Sequence, residues 1–411
     1  MANVSSSNGL EKRPKLRFPG FDEPIKSAHL SQYLVENKER NRKLIYTKSD
    51  VLSVSGEYGI VNQIEFQGRS FAGESVAEYH VVETNDIVYT KSPLKANPYG
   101  IIKVNNGAPG IVSTLYAVYH PCEGTVAEYI DYYFGNDLRL NKYLKPLVNI
   151  GAKHDMKVNN ETVLTGEVYF PDYSEQKKIV SFLAILDERI RQQRNLVEAL
   201  KKYKRGLLRD IFSKLNVRQD KRKLKDVAVL FADGDWIESK DQAPEGIRLV
   251  QTGNVGFGVY LDKPQNAKYI SEATFHRLNC LEIYDGDILI SRLPEPAGRA
   301  CLLPQSTERR ITAVDCTVIR TDKSVIDRTY LLQFLCSDQY IKTVNSFLAG
   351  GTRQRISRKN LEGIEVPYPS IDQQRYYGSF LCKVDARISN EKIRLNCLSI
   401  LRSSLLQQLF I

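Results

Sequence analysis

Little in this chain suits redox, metal or membrane chemistry. Its seven cysteines (Cys122, Cys280, Cys301, Cys316, Cys336, Cys382 and Cys397) are odd in number and scattered, and none forms a Cys-x-x-Cys pair. That excludes a disulfide framework or a zinc ribbon and fits reduced packing thiols. The five histidines are isolated, so no metal-ligand set is expected. No apolar run approaches the roughly 20 residues that span a bilayer. Residues 1–18 are polar and then basic, without the apolar stretch of a secretory signal, and read as a flexible tail. A cytoplasmic protein without membrane contact is expected.

Signatures of catalysis are equally thin. Asn97-Pro98-Tyr99 has the outline of an adenine-methyltransferase tetrapeptide but lacks its second proline, and no glycine-rich cofactor loop precedes it. Gly253, Gly256 and Gly258 reverse the spacing of a dinucleotide fingerprint, and no helical pattern follows. Pro171-Asp172 with Glu175 and Lys177 has nuclease-like residue types. Crowded at one helix start, these acidic groups serve the helix dipole instead. No G-x-x-x-x-G-K-[ST] is present, so the chain is no nucleotide-driven motor. No catalytic residue, cofactor or metal is predicted.

What the chain does have is a repeat. Stepping alternately by four and three from Ile179 gives Ile179, Leu183, Leu186, Ile190, Gln193, Val197, Leu200, Lys204, Leu207 and Ile211. This is a heptad seam broken only by Gln193 and Lys204. Adding 198 to each number gives Tyr377, Leu381, Val384, Ile388, Glu391, Leu395, Leu398, Arg402, Leu405 and Leu409, with polar breaks at the same two places. Each copy follows a similar entrance, Val168-Tyr169-Phe170-Pro171 or Val366-Pro367-Tyr368-Pro369. Each carries a glutamine (Gln176, Gln374), an aspartate (Asp187, Asp385) and a late phenylalanine (Phe212, Phe410). Two unrelated core helices would not share polar breaks at equal spacing.

The predicted order is therefore a tail (1–18), a globular domain (19–173), a long helix (174–215), a second domain (216–369) and a second long helix (370–411). In the first domain a helix is expected before residue 41. Strands are expected at 44–46, 79–82, 87–89, 110–119 and 167–170, and a helix over 125–147. The second domain repeats this plan, with strands at 247–250, 288–290, 314–319 and 364–366 and a helix over 328–348. Asn85-Asp86-Ile87-Val88 aligns with Gly286-Asp287-Ile288-Leu289, and Lys157-Val158 with Arg355-Ile356. The fold class is α+β: two repeated domains of mixed sheet and short helices, with the long helices paired as an antiparallel coiled coil. The seam rises about 48 Å from Ile179 to Ile211, and antiparallel pairing is expected to set the domains at opposite ends of it.

Net charge is +10, but the two long helices carry +9 of it, so any anion-binding surface outside them must come from local loops. The best is the turn before the second long helix: Thr352, Arg353, Gln354, Arg355, Arg358 and Lys359 behind Gly350-Gly351. Arginine and glutamine pair bidentately with guanine and adenine edges, and threonine and lysine suit phosphates. The counterpart in the first domain is Lys153, His154 and Lys157. A second candidate is the loop after the aligned strand: Lys91, Ser92 and Lys95 in the first domain, Ser291, Arg292 and Arg299 in the second.

The tandem plan, the entrance from Pro171 through Glu175-Gln176 to Ile179, and the closing Leu207-Leu208 to Ile211-Phe212 together resemble the specificity subunit of type I restriction–modification enzymes. So do Pro19-Gly20 and the Gly351-Thr352 to Ile356 turn. The resemblance covers nearly the whole chain. It departs where Gln373 and Tyr377 replace Glu175 and Ile179, and where Lys153-His154 stands for Gly351-Thr352. It implies two target recognition domains, each reading half of a two-part double-stranded DNA site. It also implies a helix pair that spaces them and docks two modification subunits, with restriction subunits joining through the complex. The chain itself would be non-catalytic. A coiled-coil interaction scaffold without DNA readout is the alternative.

Overall fold

The computed structural model describes residues 13–150, 156–294, 296–349 and 354–411, with the side chains of residues 149, 150, 156 and 157 left aside. The chain forms two compact units. The first contains residues up to Gln192 together with Arg394–Ile411, and the second is Gln193–Ile393.

In the first unit, β1 (Ser27–His29) pairs with β6 (Glu167–Tyr169), so the chain leaves the domain beside its entry. Between them β2 (Leu34–Glu36), β3 (Ile87–Thr90), β4 (Ile102–Val104) and β5 (Tyr116–Pro121) form an antiparallel sheet in the order β2-β5-β3-β4. Two short helices, α1 (Ala127–Phe134) and α2 (Asp137–Leu144), follow. The single helix expected over 125–147 is broken at Gly135, and Asn136 caps the new start by accepting from the Arg139 amide at 3.0 Å. The helix expected before residue 41 is also absent. A single 3-10 turn at Leu30–Gln32 links β1 to β2, because pairing with β6 and β5 claims these backbone groups. Residues 44–46 form no strand.

The second unit repeats this plan. β7 (Lys221–Lys223) pairs with β12 (Glu365–Pro367). β8 (Ala228–Asp233), β9 (Ile288–Ser291), β10 (Arg299–Leu302) and β11 (Cys316–Thr321) form a sheet in the order β8-β11-β9-β10, the order of the first unit. This unit also has a five-stranded sheet, whereas the described residues of the first unit outside its main sheet form two-stranded pairings such as Leu52–Ser55 with Gly59–Asn62 and His80–Val82 with Gly110–Val112. The helix expected over 328–348 is again two, Arg328–Leu335 and Asp338–Ser346, the second capped by Ser337.

The aligned landmark motifs have a common physical cause. Asn85 and Gly286 both adopt left-handed backbone (φ +72° and +86°), which selects asparagine or glycine. The next residue, Asp86 or Asp287, accepts from the amide three positions earlier, at 2.8 and 2.9 Å. Each carboxylate also meets a nitrogen-bearing side chain across the sheet, the His120 ring for Asp86 and the Arg320 guanidinium for Asp287.

The long helices are α3 (Tyr173–Arg218) and α6 (Ile371–Gln408), with the short helices Arg328–Leu335 and Asp338–Ser346 counted as α4 and α5. Asp172 caps α3: it accepts from the Glu175 amide and the Ser174 hydroxyl, both at 2.8 Å. Those bonds hold its carboxyl below its ordinary pKa. Ser370 occupies the matching place before α6. The seam residues are buried or half-buried throughout, and the helices run antiparallel within each unit. In the first, Arg402 donates to Asp187 at 2.5 and 3.2 Å. In the second, Lys204 donates to Asp385 at 2.6 and 2.8 Å.

The helices are part of each domain's core rather than an attached rod. Phe410 from the end of α6 packs on Tyr129 and Tyr133 in the first unit, and Phe212 from α3 packs on Tyr330 and Phe334 in the second. Burying one such ring contributes about 2–3 kcal/mol. The repeated glutamines act alike. Gln176 accepts from the Val126 amide at 3.0 Å and Gln374 from Asp327 at 2.9 Å, and each donates to the carbonyl of the entrance proline. The repeated aspartates also take a hydrogen bond from their own domain, Asp187 from Tyr132 and Asp385 from Gln333. The tail is held at its end: Arg17 grips buried Glu175 at 2.7 and 2.8 Å, and the Leu16 amide donates to Gln408. That ion pair accounts for Glu175 where the second copy has exposed Gln373. All seven cysteines are free, with Cys280, Cys301 and Cys316 buried. No described helix is long and apolar enough to cross a membrane.

Candidate nucleic-acid interface

The basic turn of the second unit is anchored at its base. Ala349 and Arg355 exchange backbone hydrogen bonds at 3.2 and 3.0 Å, the pattern of a closed antiparallel bridge. Beyond it the Ser357 side chain accepts from the Asn360 amide and starts a short helix, Arg358–Glu362. Gln354, Arg355, Arg358 and Lys359 are exposed on this stretch. Arg355 lies 3.2 Å from Asp315, and Arg358 lies 3.1 Å from Glu362. Thr352 and Arg353 lie outside the described residues. So do Lys153 and His154 in the first unit, and the side chain of Lys157. The backbone there follows the same plan, since Met156–Lys157 pairs antiparallel with Asn149–Ile150.

The second candidate takes a different place. Arg292 is only 4% exposed; it donates to the Val314 carbonyl at 2.6 Å and pairs with Asp233 at 3.2 Å. Burial lowers its pKa from the ordinary arginine value. It therefore supports the surface from beneath and is not itself presented to a partner. The reason lies in β9, a central strand whose four residues are all buried, so the residue after it also enters the interior. The uninterrupted Ile288-Leu289-Ile290 run was the sequence sign of a strand covered on both faces. Lys91 closes the matching strand β3 and is half-buried; desolvation lowers its pKa, and Glu36 favours its charged form. Glu36, opposite Tyr119 on β2, and Asp233, opposite Thr317 on β8, lie on the corresponding edge strands but two register positions apart. In both units a cation after the central strand thus lies within electrostatic reach of a carboxylate on the edge strand, with one strand between them.

Sequence reasoning missed the carboxylates. Asp315 and Asp233 carry no motif, and their pairing with arginines depends on strand register. Arg299 of the second candidate donates to the carbonyls of Val255, Pro294 and Pro296 and so holds the loop after β9. Asn97 sits in a turn, buried and bonded to Asp137 at 2.9 Å. Gly253, Gly256 and Gly258 lie in a 3-10 turn and the bend after it. No group of three or more metal-ligating side chains converges among the described residues.

Three comparisons bear on this arrangement. Residues 216–398 match the family model described as the type I restriction modification DNA specificity domain. The type I restriction enzyme MjaVIII specificity subunit of Methanocaldococcus jannaschii is 24% identical over 240 residues, 53% of this chain. That stretch is 55% of the relative, so the match spans about half its length. Among solved structures, the type I restriction–modification system S subunit from M. genitalium has a TM-score of 0.56 at 16% identity, covering 97% of this chain and 99% of that one. A chain from a structure of type I system assembly and conformational transition has a TM-score of 0.54 at 17% identity, covering 94% and 97%. These structures share the fold over nearly the full length, and the family model matches the second domain with its helix. Residues 216–398 thus match the type I restriction modification DNA specificity domain, and the chain as a whole is similar in fold to solved S subunits of type I systems.

Proposed function

We propose that this chain is the non-catalytic DNA-specificity subunit of a type I restriction–modification complex. Each globular domain reads one half of a two-part double-stranded site, and the helix pair sets the gap between the halves. The helix pair also docks two modification subunits, and restriction subunits join through the complex. The work takes place in the cytoplasm, where the chromosomal and invading DNA of a bacterial or archaeal cell lie. The observation that carries this reading is the duplication: two sheets of identical strand order, each followed by a segment whose flanks pair antiparallel, Asn149–Ile150 with Met156–Lys157 and Ala349 with Arg355. A protein that reads two short DNA blocks needs two such presenting surfaces and a fixed connector between them.

The test is binding of the full chain, with its modification subunits, to randomised DNA and to competitor across a range of salt. The expected result is preference for a site of two short blocks, over a non-specific component that falls steeply with salt. A scaffold without DNA readout would show no preference at any salt concentration.

A further inference from the structure

We infer that Asp315 is a positioning residue that holds Arg355 as a fixed fork for one base in the second half-site, a guanine. This rests on the function proposed above and assigns its chemistry to one ion pair. Arg355 is 45% exposed in its side chain and 3.2 Å from Asp315, whose own side chain is 31% exposed. The backbone on both sides of the pair is pinned by one residue beneath it. The Arg292 amide donates to the Asp315 carbonyl at 2.9 Å, and the Arg292 carbonyl accepts from the Ile356 amide at 3.3 Å. The buried Arg292 side chain ties in the Val314 carbonyl and Asp233. Arg355 is further fixed through its two bonds with Ala349. The segments carrying the carboxylate and the guanidinium therefore share one rigid base, and only the side chains of the pair are free to rearrange.

This geometry suits a base edge better than a phosphate. A carboxylate beside an arginine repels a phosphate and weakens sequence-independent attraction. The same carboxylate removes rotamer freedom from a long side chain, which would otherwise be lost on binding. Asp315 meets the guanidinium at one nitrogen, Nη2, and the guanidinium's remaining donors have the fork spacing that matches the N7 and O6 acceptors of guanine. The first unit lacks the device. Its strand register matches Thr90–Tyr116 to Ser291–Cys316, which places exposed Leu115 at the position of Asp315. The effect is therefore confined to the half-site read by the second domain.

The experiment selects binding sites from randomised DNA with the full chain and its modification subunits, comparing wild type, Asp315→Asn and Arg355→Lys. Melting curves establish that each variant folds. Asp315→Asn is expected to bind competitor DNA a few-fold more tightly while its preference for guanine at one position falls about tenfold. Arg355→Lys keeps the charge but loses the fork, so it should lose the same preference at the same position without the gain on competitor. The first half-site should be unchanged in both. Should Asp315→Asn fail to fold, loss or retention of that one preference in Arg355→Lys decides the matter. A wild type that selects a two-part site, with both variants keeping every preference or weakening on all sequences alike, overturns the clamp alone. A wild type with no site preference overturns the function reading, and the clamp with it.

Discussion

Gln193 and Glu391 stand 198 positions apart, the period of the repeat, and they are bonded to each other: the Gln193 amide donates to the Glu391 carboxylate at 2.8 Å and to its carbonyl at 3.0 Å. Both polar breaks of the seam thus have partners. The central one pairs a residue with its own repeat equivalent, and Lys204 and Arg402 each meet the aspartate of the other helix. Since each aspartate lies at the same place in its repeat, antiparallel register satisfies both ion pairs at once.

Gln193→Leu should destabilise the chain by about 1–3 kcal/mol, because it strips a hydrogen bond from a carboxylate that is 1% exposed. Urea unfolding measures this. The double variant Gln193→Leu with Glu391→Leu should recover most of the loss, since apolar pairs replace buried polar ones at little cost. A double variant less stable than the single one would show that the polar pair is worth more than the seam it interrupts.

Exchange of residues 217–369 for the second domain of another family member should alter one half of the selected DNA site and leave the other. Sequencing of sites methylated by the assembled complex reads this directly. A change in both halves would mean that the domains do not read independently.

Insertion of seven residues after Gln193 and seven after Glu391 keeps the heptad phase and lengthens the pair by about 10 Å. The unread gap between the two blocks should grow by about three base pairs at roughly 3.4 Å each, with both blocks unchanged. An active insertion variant with the original gap would show that the helices do not set the spacing.

His80 makes stability depend on pH. It is 2% exposed, and burial, with Arg40 and Lys91 nearby, pushes its pKa down to about 4. The unfolded chain, with an ordinary value near 6.5, takes up the proton first as pH falls. Stability from this group is thus full above about pH 6.5 and is lost between there and about pH 4. Between pH 7 and pH 5 the loss should be about 2 kcal/mol. His80→Gln should remove that part of the slope in urea titrations. An unchanged slope would mean that His80 is protonated in the fold without cost.

The sequence alone determined the duplication, the long helices and the seam, because a heptad pattern states its period residue by residue and needs no distant partner to be read. It also marked the places of Gln176, Asp187 and Phe212 and their counterparts as functional positions of the repeat. Only the tertiary structure decided their partners. Phe212 and Phe410 serve the domain that does not precede their own helix, a consequence of antiparallel pairing that no local pattern encodes. The breaks at Gly135 and Ser337, and the strands where a helix was expected before residue 41, follow from competition for backbone hydrogen bonds between neighbouring segments. The basic turn was legible as composition. That Arg292 lies buried beneath it while Arg355 lies at its surface was settled by strand order, since burying β9 on both faces carries the residue after it inward.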